Sequence, residues 1–466
     1  MSLSDEQEYA FNKFTQGHNL VITGPGGTGK SKLIQHLVQY ANERRHTVQV
    51  TALTGCASIL LGLNSKTIHS WSGMRLCKGS NEEIIEKAVY NQRTKRNWKG
   101  IKILIIDEAS MMSAKMLFVL DSIGRQIRKI DRPFGGIQVV LTCDFYQLPP
   151  IATSGDEDSG KFCFECHNYY ELFPLANHVV LTKIFRQNDV TYINILNEIR
   201  KGEISESNAE ILRQYVNRVY DKEKYGGAAL TKLFPTKSRV DAINESMFGQ
   251  IDDETHIYLV DTCVSSLVDY NTKKPLDATK MEKCRKMTTQ DKENELQFLK
   301  NNTPCVSTLE LKKGATIMCT ANIDLANGIC NGSQGVIVDF INNIPKVKFY
   351  NGITMCMEKN IWTSETYPCV YISQYPLMLA WAITIHKIQG STLSMAEMDI
   401  GKNIFTYGQT YVALSRIKSL DGLYLSGFDP SRVKANPKVK EFYNNIPSLH
   451  LVEKSINNPN LKIIKL

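Results

Sequence analysis

The chain has 466 residues, of which 42% are hydrophobic and 22% charged, and its formal net charge is +8. A chain of this length predicts about three domains of ~150 residues, and the composition excludes wholesale disorder. The longest apolar runs, at residues 101–106 and 377–385, fall far short of the ~18–20 residues of a transmembrane helix. The acidic, polar start predicts neither a secretory signal nor a transit peptide. We therefore expect an intracellular protein, nuclear or cytosolic, with no membrane partner.

The 12 cysteines show no disulfide spacing, which predicts reduced thiols. One pair stands apart, because Cys163 and Cys166 precede His167 in a C-x-x-C-H pattern. That pattern is typical of haem attachment or of half a zinc site, but no second pair of zinc ligands follows it. The sequence therefore favours two structural thiols beside a surface histidine.

In chain order, the first part of the chain alternates helices with short apolar strands. A polar helix is predicted at residues 5–15, and a second helix at 31–43. Strands are predicted at residues 20–23, 48–52, 103–106 and 139–142, since these runs are apolar and too short for helices. Strands alternating with helices predict a parallel sheet that is covered on both faces.

Two segments interrupt this pattern. Residues 72–99 are rich in lysine and arginine, and we interpret them as a basic excursion from the first domain. Residues 261–371 form a second excursion, whose later part predicts short strands at 316–320, 335–340 and 347–350 joined by Gly and Asn turns. This second pattern predicts a small β-barrel inserted in a larger domain.

The strongest chemical signal is a glycine-rich loop, G-P-G-G-T-G-K-S, between the first strand and the second helix. Backbone N–H groups of such a loop, with the N-terminus of the following helix, bind phosphates. Lys30 is expected to reach the β- and γ-phosphates, and Ser31 to ligate magnesium. The sequence thus predicts ATP and magnesium as ligands. The candidate nucleotide-binding residues of the loop are Gly24, Pro25, Gly26, Gly27, Thr28, Gly29, Lys30 and Ser31.

An acid pair, Asp107 and Glu108, follows the strand predicted at 103–106. Open α/β sheets bind ligands at the carboxyl ends of their strands. Asp107 is placed to hold magnesium through water, and Glu108 to polarise an attacking water. Adjacent acids after a buried strand favour an ATPase, whose acceptor is water, over a kinase.

The strand predicted at 139–142 leads into a D-F-Y-Q-L-P-P loop. Gln147 is a neutral hydrogen-bonding group suited to sensing the γ-phosphate or positioning water. Phe145 and Tyr146 have two alternatives: stacking on a nucleic-acid base or packing inward.

Two arginines are candidates for stabilising transition-state charge during ATP hydrolysis. Arg186 lies in an F-R-Q run and Arg416 in an L-S-R run. Either arginine alone would more commonly be a surface or salt-bridge residue, so their interpretation depends on the motifs around them.

Together these blocks resemble the Pif-one family of DNA helicases, in the B group of superfamily one. The resemblance extends from Leu3 to Tyr443. The motifs that carry it are G-P-G-G-T-G-K-S, I-I-D-E-A-S, P-F-G-G-I-Q-V-V, D-F-Y-Q-L-P-P, L-T-K-I-F-R-Q, H-K-I-Q-G and G-Q-T-Y-V-A-L-S-R.

The resemblance implies an α/β fold of two RecA-like parallel-sheet domains, with a wedge inserted in the first and an SH-three-like β-barrel in the second. The expected boundaries are 1–71 and 100–185 for the first domain, 72–99 for the wedge, 186–260 and 372–443 for the second domain, 261–371 for the barrel-containing insertion and 444–466 for a C-terminal tail.

The resemblance also assigns residues to roles. Arg186 and Arg416 match the family's arginine fingers, Gln7 matches the glutamine that reads adenine, and Gln389 and Gly390 match a motif coupling the nucleotide cleft to DNA. The expected DNA contacts are Thr54, Gly55, Thr67, His69, Ser70, Thr384, His386, Lys387 and Thr392, with Phe145 added under the stacking alternative. Hydroxyl, imidazole and ammonium donors hold phosphates without reading bases.

The segment 121–138 looks like the stretch that sets this family apart from other B-group helicases. The family implies 5′-to-3′ translocation on single-stranded DNA and unwinding of forked duplexes, RNA–DNA hybrids or guanine quadruplexes in replication, repair or recombination. We expect a monomer on DNA. Departures from the family pattern are few, at Ser58, Ala109 and Cys143, and none removes a catalytic group.

Two other hypotheses remain. One is a DNA-binding protein in which ATP switches the affinity for single-stranded DNA without unwinding. The other is a related enzyme of the RecD or RNA-directed Upf type. The intact set of predicted catalytic groups argues against the first, and the P-F-G-G-I-Q and H-K-I-Q-G blocks argue against the second.

Overall fold

The computed structural model describes residues 3–447, except 55–56, 59–60, 62, 64, 76, 188, 222–229, 265–267, 270–273, 277, 304, 325–326, 365–366, 391 and 394. The chain divides into two compact units, the first formed by residues 1–218 and 398–466 and the second by residues 219–397. Within the described residues, no helix is both long and apolar enough to cross a bilayer.

The helices, in chain order, carry the labels α1 to α14. They are α1 Asp5–Thr15, α2 Lys30–Glu43, α3 Ile68–Ser72, α4 Asn81–Tyr90, α5 Gln92–Gly100, α6 Ala114–Arg128, α7 Tyr169–Leu172, α8 Val190–Arg200, α9 Glu206–Arg213, α10 Lys237–Gly249, α11 Ala278–Arg285, α12 Thr289–Asn302, α13 Gln409–Leu414 and α14 Pro437–Asn445.

The strands carry the labels β1 to β22. They are β1 Leu20–Thr23, β2 Val48–Ala52, β3 Lys66–Thr67, β4 Ile103–Asp107, β5 Gln138–Cys143, β6 His178–Val180, β7 Lys232–Phe234, β8 His256–Leu259, β9 Asp261–Val264, β10 Val268–Asp269, β11 Lys274–Pro275, β12 Thr308–Leu311, β13 Thr316–Cys319, β14 Gln334–Ile341, β15 Ile344–Phe349, β16 Thr354–Cys356, β17 Asn360–Thr363, β18 Val370–Gln374, β19 Leu377–Leu379, β20 Ala382–Thr384, β21 Ala396–Ile400 and β22 Leu423–Phe428.

The first unit is built on a six-stranded parallel sheet in the order β3-β2-β4-β5-β1-β6. Leu20 and Ile22 of β1 face a core formed with α1 and α2, while Val21 faces the core that includes α6. Every residue of β1 and β4 is buried, because a parallel sheet with both faces covered needs continuous apolar strands. The predicted parallel sheet is thereby confirmed, with strand bounds at or within one residue of the expected ones.

The predicted thiol pair lies in this unit, beside α7. Cys163 and Cys166 are buried and His167 is exposed, and burial raises the pKa of both thiols. The described residues contain no group of three His, Cys, Asp or Glu side chains placed to hold a metal ion. The burial of the two thiols and the exposure of His167 agree with the predicted positions of these side chains.

The segment 121–138 ties the basic excursion to the sheet domain. Arg128 at the end of α6 donates to the Trp98 carbonyl of α5 at 2.7 Å and to the Gly135 carbonyl at 2.7 Å. Asp121 accepts the Phe134 N–H at 2.7 Å. One arginine therefore joins α5, α6 and the 133–136 turn.

Replacing Gly135 by alanine is expected to lower the free energy of unfolding by about 3 kcal/mol. Gly135 has φ +66°, and an added Cβ would lie 2.3 Å from the Gly124 carbonyl oxygen. The matched control is Gly136→Ala, since Gly136 also has positive φ (+78°) but its Cβ would meet only Ile130, at 3.7 Å. Urea unfolding should show a loss of about 1 kcal/mol for the control. Equal losses for the two variants would contradict the close packing at Gly135.

A buried histidine connects β6 to α7. His178 Nδ1 lies 3.1 Å from the Pro174 carbonyl oxygen, which can only accept, so Nδ1 carries the proton. The other ring nitrogen then accepts from the Tyr169 hydroxyl at 2.8 Å. Burial lowers the pKa of His178 to about 4. The neutral ring is therefore the form that the fold accommodates.

The lowered pKa of His178 makes the free energy of unfolding depend on pH. The unfolded chain protonates His178 below its ordinary pKa near 6.5, whereas the folded chain does so only near 4. Between these values the unfolded state binds more protons, so the free energy of unfolding falls as pH drops, by about 3 kcal/mol in total. His178→Gln should remove that part of the pH dependence in urea titrations. The exposed His18→Gln control should retain it, and an unchanged slope in His178→Gln would refute the assignment.

The second unit contains an antiparallel sheet in the order β16-β15-β14-β13-β19. Ile317, Ile337, Val347 and Phe349 from its strands form the centre of an apolar core. The strands predicted at 316–320, 335–340 and 347–350 correspond to β13, β14 and β15, so these predictions are confirmed. In the same unit β20 pairs in parallel with β7.

The predicted domain boundaries stay a prediction. The predicted boundaries were drawn from sequence motifs, whereas the two compact units are defined by contacts between residues. Residues 186–218 and 398–443, which were predicted to belong to the second domain, lie in the first unit. Of the predicted tail, residues 448–466 lie outside the described residues.

Candidate nucleotide site

The glycine-rich loop joins β1 to α2 as predicted. Gly29 is the N-cap residue of α2, and no side chain caps the helix, so the first N–H groups of α2 remain for a ligand. Gly27 has φ +88°, and a Cβ there would lie 2.6 Å from Cβ of Arg186. A glycine is therefore required at position 27, because any larger residue would clash with Arg186.

The ammonium of Lys30 turns back onto this loop. It donates to the carbonyls of Gly24 at 2.7 Å and Pro25 at 3.0 Å. Burial lowers the pKa of Lys30, and the nearby carboxylates of Asp144, Glu108 and Asp107 oppose that shift. Lys30 is thus a desolvated cation beside three acids.

The acid pair lies at the carboxyl end of β4. Asp107 Oδ1 accepts the Glu108 N–H at 2.9 Å and the Thr142 hydroxyl, while burial raises the pKa of Asp107. Glu108 has φ +53°, in the left-handed region. Such a backbone conformation is unfavourable for a non-glycine residue and is concentrated at functional sites.

The two predicted arginine fingers lie together at one end of the loop. Arg186 Nη1 and Arg416 Nη2 are each 3.9 Å from the point where a Cβ of Gly26 would lie. Burial lowers the pKa of Arg186, and burial together with the charge of Arg186 lowers the pKa of Arg416 to about 10. Two guanidinium groups so close together in a buried place favour a polyanionic ligand.

Gln7 and Gln147 are both buried side chains of the first unit. Gln7 closes a capping box with Ser4 at the start of α1, and its Nε2 donates to the Thr28 carbonyl at 3.1 Å. Gln147 follows β5, and its N–H donates to the Asp144 carbonyl at 2.9 Å. The first unit therefore brings together Gln7, the glycine-rich loop, Asp107, Glu108, Arg186 and Arg416, and places Gln147 after β5, the strand that pairs with β1.

Sequence reasoning missed an aromatic side chain at this site. Phe185 is 47% exposed, and its ring lies 3.6 Å from the point where a Cβ of Gly29 would be. The ring is thereby close to Gln7, whose Nε2 lies 2.8 Å from the same point. An aromatic residue directly before a predicted arginine finger was the available signal.

A second missed residue is Asp144, which is 0% exposed. Arg200 at the end of α8 donates to its carboxylate through Nη2 at 2.8 Å and Nε at 3.1 Å. The hydroxyls of Tyr411 and Tyr443 donate to it at 3.0 and 3.4 Å. The position of Asp144 before Phe145 and Tyr146 gave no hint of this arrangement, because Arg200, Tyr411 and Tyr443 are distant in the chain.

The predicted DNA contact of Phe145 does not fit the structure. Its side chain is 1% exposed and makes edge contacts with Phe162, Phe164 and Phe442. A ring enclosed on all these sides offers no face to a base, so the packing alternative is the correct one. Tyr146 also packs inward, stacking on Tyr443 with ring centroids 4.7 Å apart.

The other predicted DNA contacts of the first unit cluster around α3. Thr67 caps α3 by accepting the Ser70 N–H at 3.4 Å, and Thr54 is exposed. Burial lowers the pKa of His69, which favours its neutral form. Gly55 lies outside the described residues.

In the second unit, the predicted DNA contacts follow β20. Thr384 accepts the N–H of the exposed Lys387 at 3.4 Å, and burial lowers the pKa of His386. The predicted nucleotide-motif residues Gln389 and Gly390 end the same turn, with Gln389 buried, and Thr392 is half-buried just beyond it.

Comparisons with known proteins identify the family of this chain. The model of the PIF1-like helicase family matches residues 2–210, and that of the 2B domain of DNA helicase Pif1 matches residues 296–340. ATP-dependent DNA helicase Pif1 of Bdellovibrio bacteriovorus is 30% identical over 452 residues, covering 96% of this chain and 93% of that protein. This chain belongs to the PIF1-like helicase family.

Other members of the PIF1-like family are similarly related. ATP-dependent DNA helicase PIF1 of Xenopus laevis is 34% identical over 95% of this chain, which spans 64% of the length of that relative. The crystal structure of Pif1 helicase from Candida albicans has a TM-score of 0.75 and 32% identity, covering 96% of this chain and 100% of that one. Bacteroides Pif1 bound to single-stranded DNA has a TM-score of 0.65 and 26% identity, covering 98% of each chain. The predicted fold class and family are thereby confirmed.

Proposed function

We propose that this PIF1-like protein is an ATP-dependent DNA helicase. The observation that carries the proposal is the gathering of Lys30, Arg186 and Arg416 around the glycine-rich loop. Burial lowers the pKa of all three cations, so the fold keeps positive charge where it is unfavourable. A triphosphate would offset that charge, whereas a structural loop has no need of it.

The acids and Gln147 supply the remaining parts of a hydrolytic site. Glu108 is proposed to polarise the attacking water and Gln147 to position it, since each follows a strand ending at the same sheet edge. Ser31 and Asp107 would hold magnesium, which neutralises phosphate charge. Oxygen donors suit that ion, and both hydrogen bonds described for Asp107 use Oδ1, which leaves Oδ2 for a ligand.

The base end of the nucleotide is assigned to Gln7 and Phe185. The Gln7 amide is proposed to read the adenine edge, and the exposed Phe185 ring offers a face for stacking. Gln389 and Gly390 are proposed to couple nucleotide binding to DNA.

Single-stranded DNA is the proposed track. Supporting this, relatives are named as DNA helicases, and a Bacteroides relative was solved bound to single-stranded DNA. Helix α4 and the basic helix α5 are proposed as the wedge that splits a duplex, for which the predicted boundaries are 72–99. The proposed DNA contacts are Thr54, Gly55, Thr67, His69, Ser70, Thr384, His386, Lys387 and Thr392.

Movement is proposed to run 5′ to 3′, by a monomer, with forked duplexes, RNA–DNA hybrids and quadruplexes as substrates in DNA replication, repair or recombination. The proposed location is intracellular, where such DNA is found. The domain boundaries at 186, 261 and 372 are proposed on the same resemblance.

DNA-stimulated phosphate release tests the proposed chemistry. Lys30→Ala is expected to lower the rate by about 10²-fold, because a preorganised cation at the phosphates is lost. The matched control is Lys32→Ala, an exposed lysine two residues further along α2, which should leave the rate unchanged. ATP binding that alters DNA affinity without any hydrolysis would favour the ATP-switched binding protein instead.

A further inference from the structure

The hydroxyl of Tyr411 links the phosphate loop to the buried acid Asp144. Tyr411 lies in α13 and is 2% exposed. Its oxygen accepts the Gly26 N–H at 3.0 Å, and its proton goes to Asp144 Oδ2 at 3.0 Å. The direction of the second bond is fixed, because a carboxylate paired with Arg200 only accepts.

Gly26 lies where the two predicted arginine fingers approach the loop. The Arg186 and Arg416 guanidinium groups approach this glycine equally, at 3.9 Å from its Cβ position. Arginine fingers act on the transferring γ-phosphoryl group. The Gly26 N–H is therefore the loop donor nearest to where that group would be bound.

The Gly26 amide has a single proton to donate. A γ-phosphate oxygen that takes this proton must displace the Tyr411 hydroxyl from it. A nucleoside diphosphate lacks the γ-phosphate and leaves the Tyr411 bond undisturbed. Competition at one N–H would therefore distinguish triphosphate from diphosphate.

We propose that Tyr411 is a specificity-determining residue of the nucleotide site, holding the Gly26 N–H until a γ-phosphate replaces it. This inference rests on the proposed binding of ATP at the loop. The displaced hydroxyl changes the hydrogen bonding of Asp144, whose other partners are Arg200 of α8 and Tyr443 of α14. The presence of a γ-phosphate is thereby transmitted to two helices outside the loop.

Asp144 and its partners keep the Tyr411 hydroxyl in place. The carboxylate also accepts the Tyr146 N–H at 3.3 Å, and the Arg200 guanidinium lies over the Tyr146 and Tyr443 rings at 4.6 and 5.2 Å from their centroids. A carboxylate fixed on several sides holds a hydroxyl in one orientation. The acceptor presented to Gly26 is therefore preorganised rather than mobile.

Equilibrium titration with fluorescent mant-ADP and mant-AMP-PNP tests the proposal. Tyr411→Phe removes only the hydroxyl and should tighten binding of the triphosphate analogue about tenfold, or ~1.4 kcal/mol, the size of one hydrogen bond. The affinity for mant-ADP should change less than about twofold. Should Tyr411→Phe fail to fold, 3-fluorotyrosine at position 411 keeps the hydroxyl as a poorer acceptor, and a smaller change in the same direction is expected.

The matched control is Tyr192→Phe. Tyr192 is also fully buried, and its hydroxyl donates to the Leu414 carbonyl of the same helix α13 at 2.7 Å, with no bond to the phosphate loop among those described. It should leave the ratio of the two affinities unchanged. Weaker triphosphate binding in Tyr411→Phe, equal changes for both nucleotides, or the same ratio change in the control would overturn the proposal.

The titration separates this inference from the proposed function. If the natural chain binds both nucleotides but never hydrolyses ATP, the helicase proposal fails while the affinity ratio still decides the role of Tyr411. If the chain hydrolyses ATP and the ratio does not change in Tyr411→Phe, only the Tyr411 proposal fails. If it binds neither nucleotide, both fail.

Discussion

Replacing Arg416 by alanine is expected to lower kcat for ATP hydrolysis by about 10³-fold, the lower range for an arginine finger. Arg416 and Arg186 lie at the Gly26 end of the loop, where negative charge develops as the γ-phosphoryl group leaves. The variant should stay folded, because burial and then the charge of Arg186 both lower the pKa of Arg416, and alanine removes this unfavourable cation. Steady-state phosphate release with saturating single-stranded DNA measures the effect.

The control for this prediction is Arg432→Ala. Arg432 is largely exposed and pairs with Asp429 at 3.8 Å, outside the nucleotide site. Its kcat should match that of the natural chain. A loss in Arg416→Ala confined to KM, with kcat retained, would mean that Arg416 binds ground-state nucleotide rather than stabilising the transition state.

Replacing Arg200 by alanine is expected to lower the free energy of unfolding by about 4 kcal/mol, because it leaves a buried carboxylate without its cation. Asp144 is fully buried, and its bidentate bond to Arg200 is its only salt bridge among the described residues. Urea titration followed by circular dichroism measures the loss.

A surface ion pair provides the comparison. Arg213 pairs with Glu206 and Glu210 at 2.6 and 2.9 Å, but its side chain is 42% exposed. Arg213→Ala should cost no more than about 1 kcal/mol, because solvent screens exposed pairs. Similar losses for the two arginine variants would show that the Asp144–Arg200 pair does not stabilise the fold as its burial implies.

The phosphate loop and the acid pair were predictable because their chemistry is local in sequence. A strand, a glycine-rich turn and a helix specify where Lys30 and Ser31 lie, and a buried strand specifies where Asp107 and Glu108 emerge. The bounds of β1 and β2 were also predicted to the residue, because these mostly apolar runs of four and five residues are too short for helices.

The hydrogen-bond partners of Asp144 were not predictable, because they are distant in the chain. Its partner Tyr411 is 267 residues away in the chain, and Tyr443 is 299 residues away. The packing of Phe145 was not predictable for the same reason. The letters D-F-Y-Q are identical whether the ring faces a base or the core, and the packing is decided by rings elsewhere in the chain, at Phe162, Phe164 and Phe442.

Strand displacement on two partial duplexes, one with a 5′ and one with a 3′ single-stranded tail, tests the proposed helicase activity and its direction together. ATP and magnesium should drive release from the 5′-tailed substrate alone, and Lys30→Ala should abolish that release. Release from the 3′-tailed substrate alone would contradict the proposed direction of movement. DNA-stimulated hydrolysis with no release from either duplex would contradict the helicase activity itself.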